Sequence, residues 1–175
     1  MRSGVLAAAV VLALAGAARA EVVEQLPGGF RLKSVVQIAA PPERVYQAIG
    51  QLGRWWDPQH SYSGRAENLS LDLRPGGCWC ETLGGGDGVQ HGVVVLAAPK
   101  LGMIRAHAAL GPLQDEGVSA ALLWQLKAKD GGTELTATYN VGGARDFIVK
   151  AAPVIDGVLS TNWGRLKRYV ETGAP

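Results

Sequence analysis

The sequence predicts an α+β domain in which a curved, seven-stranded antiparallel sheet wraps one long C-terminal helix. Three observations predict it. Stretches rich in β-branched and aromatic residues recur between glycine- and proline-bearing turns from Phe30 to Val141. A single proline-opened helical stripe follows the first of them. The last region, roughly Asp146 to Glu171, then carries apolar residues at helical spacing.

Phe30 to Ile38 partly alternates and forms the first expected strand. Ala39-Ala40-Pro41-Pro42 leads into the first helix, because Pro42 lacks an N–H that the first turn would leave unpaired. Glu43 favours the same end through the helix dipole. Val45, Tyr46, Ala48, Ile49 and Leu52 make its apolar stripe, Gly50 and Gly53 weaken it, and Trp55-Trp56-Asp57-Pro58 ends it. Further strands are expected near Arg65–Leu73, Cys78–Leu83, Val89–Ala97, Met103–Leu110, Val118–Lys129 and Thr133–Val141. Arg74-Pro75-Gly76-Gly77, Gly84 to Gly88, Ala98-Pro99-Lys100 and Asp130-Gly131-Gly132 are the turns between them. In the terminal helix Pro153 marks an early bend, and Val154, Val158, Leu159, Trp163, Leu166 and Val170 form the buried stripe. Alternation gives the last strand a covered face, Leu135, Ala137, Tyr139 and Val141, and a wet face, Glu134, Thr136, Thr138 and Asn140.

The first twenty residues read differently. Arg2, the apolar run Val5 to Ala15, and Ala18-Arg19-Ala20 before Glu21 have the pattern of a secretory signal peptide. The run is shorter than the roughly 20 residues that span a bilayer, so a stable membrane anchor is not expected. No cysteine follows the cleavage position to carry a lipid. Residues 21–175 make one domain of ordinary size, and the expected location is periplasmic or secreted. Loss of Arg2 and Arg19 leaves 15 basic residues against 15 acidic ones. The remaining basic run, Arg165-Leu166-Lys167-Arg168, fits the polar face of a terminal helix, so nucleic acid is an unsuitable partner.

Cys78 and Cys80 are the only cysteines. Two residues apart in a strand they point the same way, near the upper limit of Cα separation for a bridge. Small buried thiols are expected, not a relaxed disulfide. A zinc site is not expected either, since no spaced partner pair exists. Nothing resembling a nucleophile elbow, phosphate loop or dinucleotide fingerprint points to a cofactor.

A hairpin centred on Gly86 sets Leu83 against Val89, Glu81 against His91 and Trp79 against Val93, all on one apolar face. Glu81 and His91 then form a charged pair at a cavity wall, fit for acid–base work or for orienting a ligand. A one-residue slip would instead turn both to water, and an ordinary ion pair at the rim is the plainer alternative. Trp55, Trp56, Trp79, Trp124, Tyr139 and Trp163 are candidate cavity walls, with core filling as the alternative for each. His60 is expected in a loop near the cavity mouth. His107 shares parity with Arg105 and is expected on the wet side. Gly111-Pro112 and Gly117 mark a candidate mobile loop over the cavity.

The order of elements resembles the START-like superfamily, also called SRPBCC, and within it the polyketide cyclase/dehydratase and Hsp90-ATPase-activator-homologue branch. Ala39 to Tyr46 is similar to its strand-to-helix junction, Leu52 to Pro58 to its tryptophan turn, and Leu73-Arg74-Pro75-Gly76-Gly77 to its β-turn. The resemblance implies a helix-grip domain enclosing a hydrophobic cavity, in a group that includes binders of lipids, sterols or polyketides as well as enzymes. Fold does not choose between these. The leading expectation is an exported binding protein for a small hydrophobic or amphipathic molecule. The alternative is a cyclase- or dehydratase-type enzyme using Glu81 and His91. Nothing in the sequence sets an oligomeric state.

Overall fold

The computed structural model describes residues 19–175; of the expected signal peptide, residues 1–18 lie outside the described residues. The chain runs β1 (Arg19–Leu26), β2 (Gly29–Ile38), α1 (Pro42–Gly50), β3 (Leu69–Leu71), β4 (Cys78–Gly84), β5 (Asp87–Ala98), β6 (Met103–His107), β7 (Ser119–Lys129), β8 (Gly132–Gly142), α2 (Asp146–Lys150) and α3 (Ala152–Thr172). All strands join one sheet in the order β1-β2-β8-β7-β6-β5-β4-β3, and every neighbouring pair is antiparallel. α3 lies against β1, β2 and α1. This is an α+β fold with a large antiparallel sheet and a C-terminal helix, compatible with a helix grip. No helix among the described residues is long and apolar enough to cross a membrane.

Among the described residues the sheet has eight strands, not the expected seven. The additional one is β1, joined to β2 through Pro27-Gly28, with Gly28 at φ 81° as a type II turn requires of its third residue. A bulge between Val22 and Glu24 breaks its alternation, which is why the pattern hides it. Elsewhere the expected strands form: β2, β4, β5 and β8 run slightly longer than expected, β3 and β6 shorter. β3 keeps three residues because Ala66–Asn68 winds into a 3₁₀ turn. β6 stops at His107, where the chain leaves the sheet.

α1 starts at Pro42 as expected and buries Val45, Tyr46, Ala48 and Ile49. In α3 the buried side is Ala152, Leu159, Asn162, Trp163, Leu166 and Val170. Val154, placed in the stripe by sequence, is 70% exposed. α2 and α3 meet at Ala151, with Pro153 in the first turn of α3, so the apolar phase begins at Ala152. β8 and β7 show the expected faces, with Leu135, Ala137, Tyr139, Leu122, Trp124 and Leu126 all buried.

The β4–β5 hairpin corrects the expected register. Gly85 and Gly86, at φ 64° and 96°, form a two-residue turn between the paired Gly84 and Asp87, the geometry of a type I′ hairpin. The turn therefore centres half a residue earlier than Gly86. Leu83 is left in a bulge and is 43% exposed. Glu81 faces Val89, and Trp79 faces Gly92. A second bulge, opposite Trp79 and Cys80, leaves His91 without a direct partner and reverses parity beyond it. Val94 enters the core while Val95 is 42% exposed. Gly92 is needed there, because a Cβ would stand 2.5 Å from the His107 carbonyl oxygen.

The cysteines also depart from expectation: Cys78 and Cys80 are bonded to each other as a disulfide. Their Cα atoms stand 5.4 Å apart, well inside bridging range, on the stretch of β4 that faces the extra residue of β5. Both are half-buried, not sealed in the core.

Candidate functional site

Above the packed core lies a cavity of about 470 Å³ with predominantly apolar walls. Three pieces of backbone shape it. The first is the tryptophan turn. Its shape comes from α3: Arg165 Nε donates to the Trp55 carbonyl at 2.8 Å, and the Asp57 N–H donates to Asn162 Oδ1 at 2.8 Å. Trp56 Nε1 donates to the His60 carbonyl at 2.9 Å, closing the turn on itself. The buried Asn162 is a structural residue that the apolar stripe conceals in sequence.

The second piece is the segment after β6. The Tyr139 hydroxyl donates to the Ala108 carbonyl at 2.8 Å and accepts from the Leu110 N–H at 3.2 Å. Burial pushes that phenol's pKa up, so it stays a neutral donor. Tyr139 thus pins the point where the chain turns over the cavity, and Leu110 to Leu113 become its wall. The third piece is the α2–α3 elbow, which supplies Ile148, Ala151, Ile155 and Leu159.

One buried polar pair meets this wall. His91 Nε2 lies 2.9 Å from Glu81 Oε2, with the side chains 7% and 0% exposed. His91 lines the cavity; Glu81 sits behind it. The Tyr62 and Ser63 N–H groups donate to Glu81 at 3.1 and 2.5 Å, so the carboxylate also anchors the loop at the cavity mouth. Burial raises the Glu81 pKa, but bonds from Ser63, Tyr62 and His91 outweigh it and hold the carboxyl below its ordinary value. An ionised Glu81 can only accept, which makes Nε2 the proton-bearing nitrogen. In a neutral ring Nδ1 is then the acceptor. Tyr62 stands over the imidazole at 5.7 Å between ring centroids.

The pair survives the change of register. With Glu81 opposite Val89, alternation puts His91, two residues on, on the same face, and Glu81 reaches it diagonally. His60 lies at the cavity wall, with Nδ1 3.5 Å from Asp57 Oδ2 and apart from the Glu81–His91 pair. His107 is exposed. Among the aromatic candidates Trp56 and Trp79 line the cavity. Trp55, Trp124, Tyr139 and Trp163 lie in the core beneath it. Trp79 joins the two groups, at 5.4 Å from Trp56 and 5.9 Å from Trp124. The elbow residues Ile148 and Ile155 carried no signal in sequence beyond helical apolarity. Between α1 and β3 a wider groove of about 800 Å³ lies more open to solvent and is edged by Arg54, Glu67 and Asp72. It lacks the enclosure that a small apolar ligand needs.

No family model and no curated protein match the sequence. Solved structures do match. DynU16, from the dynemicin biosynthetic locus, superposes with a TM-score of 0.61 at 21% identity over 83% of this chain, which spans about half of that protein (48%). A protein from Rhizobium leguminosarum gives a TM-score of 0.59 at 20% identity, over 89% of this chain and 98% of its own. Ara h 8.0201 gives 0.56 at 12% identity, over 82% and 98%. At these identities the likeness is one of fold alone.

Proposed function

We propose that this protein is an exported START-like (SRPBCC) binding protein that holds one small hydrophobic or amphipathic molecule. The observation that carries the reading is the 470 Å³, mainly apolar cavity with a buried imidazole, His91, held in its wall by Glu81. Apolar walls supply affinity, and the imidazole, held by Glu81, orients a polar end of the ligand. The shared fold with a protein of a biosynthetic locus supports a small-molecule role. Cleavage after Ala20 leaves Glu21–Leu26 of β1 to pair with β2, so export is compatible with the sheet.

Native mass spectrometry of protein from its own exporting cells, followed by solvent extraction, tests the reading directly. The expected result is an apolar small molecule in the extract and Glu21 as the first residue. With 1-anilinonaphthalene-8-sulfonate as probe, Trp79→Ala should weaken binding about tenfold, or ~1.4 kcal/mol. Leu101→Ala, at a 70% exposed position, should leave it unchanged. Equal binding by both variants overturns the proposal.

The Glu81–His91 pair favours a second reading, a cyclase- or dehydratase-type enzyme. Here His91 Nδ1 removes a proton from the substrate and Glu81 fixes the ring. Solvent deuterium entering an enolisable ketone, lost in His91→Gln, would support it. No exchange by the wild-type protein against a panel of such ketones would leave the binding reading alone.

A further inference from the structure

We infer that the Cys78–Cys80 disulfide is a thiol–disulfide exchange site whose reduction reshapes the cavity. The bridge closes a ring through a single intervening residue, and so short a loop removes little chain entropy from the unfolded state. Stabilising the whole fold is therefore not what it contributes. Both cysteines are half-buried while Trp79 and Glu81 between and beside them are buried, which places the bridge on the outer face of the sheet. A dissolved thiol reaches that face without entering the core.

Its connections lead inward. The residue between the two cysteines is Trp79, part of the cavity wall. The bridge spans the bulge that leaves His91 unpaired in the ladder. Gln90 Nε2 donates to Cys78 Sγ at 3.7 Å, and the Gln90 carbonyl accepts from Gln114 Nε2 at 3.2 Å. Gln114 ends the 3₁₀ turn whose Gly111, Pro112 and Leu113 cover the cavity. One covalent bond on the outer face thus fixes a wall residue, the bulge behind His91 and the base of the covering turn.

The reductant is a dithiol. One of its thiolates attacks a cysteine Sγ, forming a mixed disulfide while the other cysteine leaves as a thiolate and takes a proton. The second dithiol thiolate then attacks the mixed disulfide and releases the first cysteine. Two electrons and two protons pass to the protein, which ends with two thiols, and the dithiol ends as a disulfide. The sulfurs then separate, the bulge relaxes, and Trp79 and His91 shift in the cavity wall.

The test treats the native full chain with dithiothreitol and measures three things. Alkylation under native conditions should add no groups before treatment and two after it. The ring nitrogen signals of His91 should move on reduction, and affinity for 1-anilinonaphthalene-8-sulfonate should change about fivefold or more, the low end of ordinary coupling between sites. A Cys78→Ser/Cys80→Ser protein should match the reduced form and ignore the dithiol. If that variant does not fold, the reduced wild-type chain decides. A bridge that reacts only in unfolded protein overturns the inference, as does full reduction with unmoved His91 signals. The inference uses the ligand cavity proposed above, but the two fail separately: a probe that binds neither form removes the binding reading, while alkylation and His91 still judge the exchange site.

Discussion

Trp124 and Trp79 stand 5.9 Å apart, yet they belong to regions of opposite character. Around Trp124 the layers close completely. Trp163 of α3 meets it edge-on at 6.1 Å, and Leu122 and Ile104 beside it are fully buried. Trp79 is almost as fully buried, yet it also lines the cavity. There the indole has core on one side and the cavity on the other. The same residue type fills volume in one place and bounds it in the other. Close packing is a property of how layers overlap, and hydrophobicity alone does not ensure it.

Mutations break or sharpen this contrast. Trp124→Ala should cost about 3–5 kcal/mol of stability, read from urea unfolding, because its neighbours are too tightly held to collapse into the gap. Trp79→Ala should cost measurably less stability than Trp124→Ala while losing more probe affinity. The reverse order would mean that the cavity is not the functional side.

Glu81→Gln should cost about 1–3 kcal/mol at neutral pH by setting an amide against backbone N–H donors. The folded pKa of Glu81 lies below its ordinary value of 4.5, so its stabilisation is complete above that value and fades as pH falls through the folded pKa. The gap between wild type and Glu81→Gln should therefore shrink below about pH 4.5. A gap that stays constant down to pH 2 would exclude the ionised carboxylate as its source. Ile155→Trp, placing an indole in the cavity, should abolish probe binding with about 1–3 kcal/mol of strain at most. Leu101→Ala should change stability by less than about 0.5 kcal/mol.

The sequence by itself determined the local elements. β2, the start of α1 at Pro42, the tryptophan turn, and the buried faces of β7 and β8 all follow from alternation, proline placement and helical spacing, which act over a few residues. It also brought Glu81 and His91 to one face, because both lie close to the same hairpin turn. β1 escaped, since a bulge and two glutamates interrupt its pattern. Only the tertiary structure decided the hairpin register, which differs from the expected one by two residues at Glu81 and so keeps Glu81 and His91 on one face. Here a type I′ turn at Gly85-Gly86 and the close approach of Gly92 to β6 made that choice. The Cys78–Cys80 bridge also depends on a local Cα separation of 5.4 Å that alternation does not encode. Which tryptophans line the cavity was likewise decided in three dimensions, because a cavity exists where separate layers fail to cover one another, and no short stretch of chain encodes that.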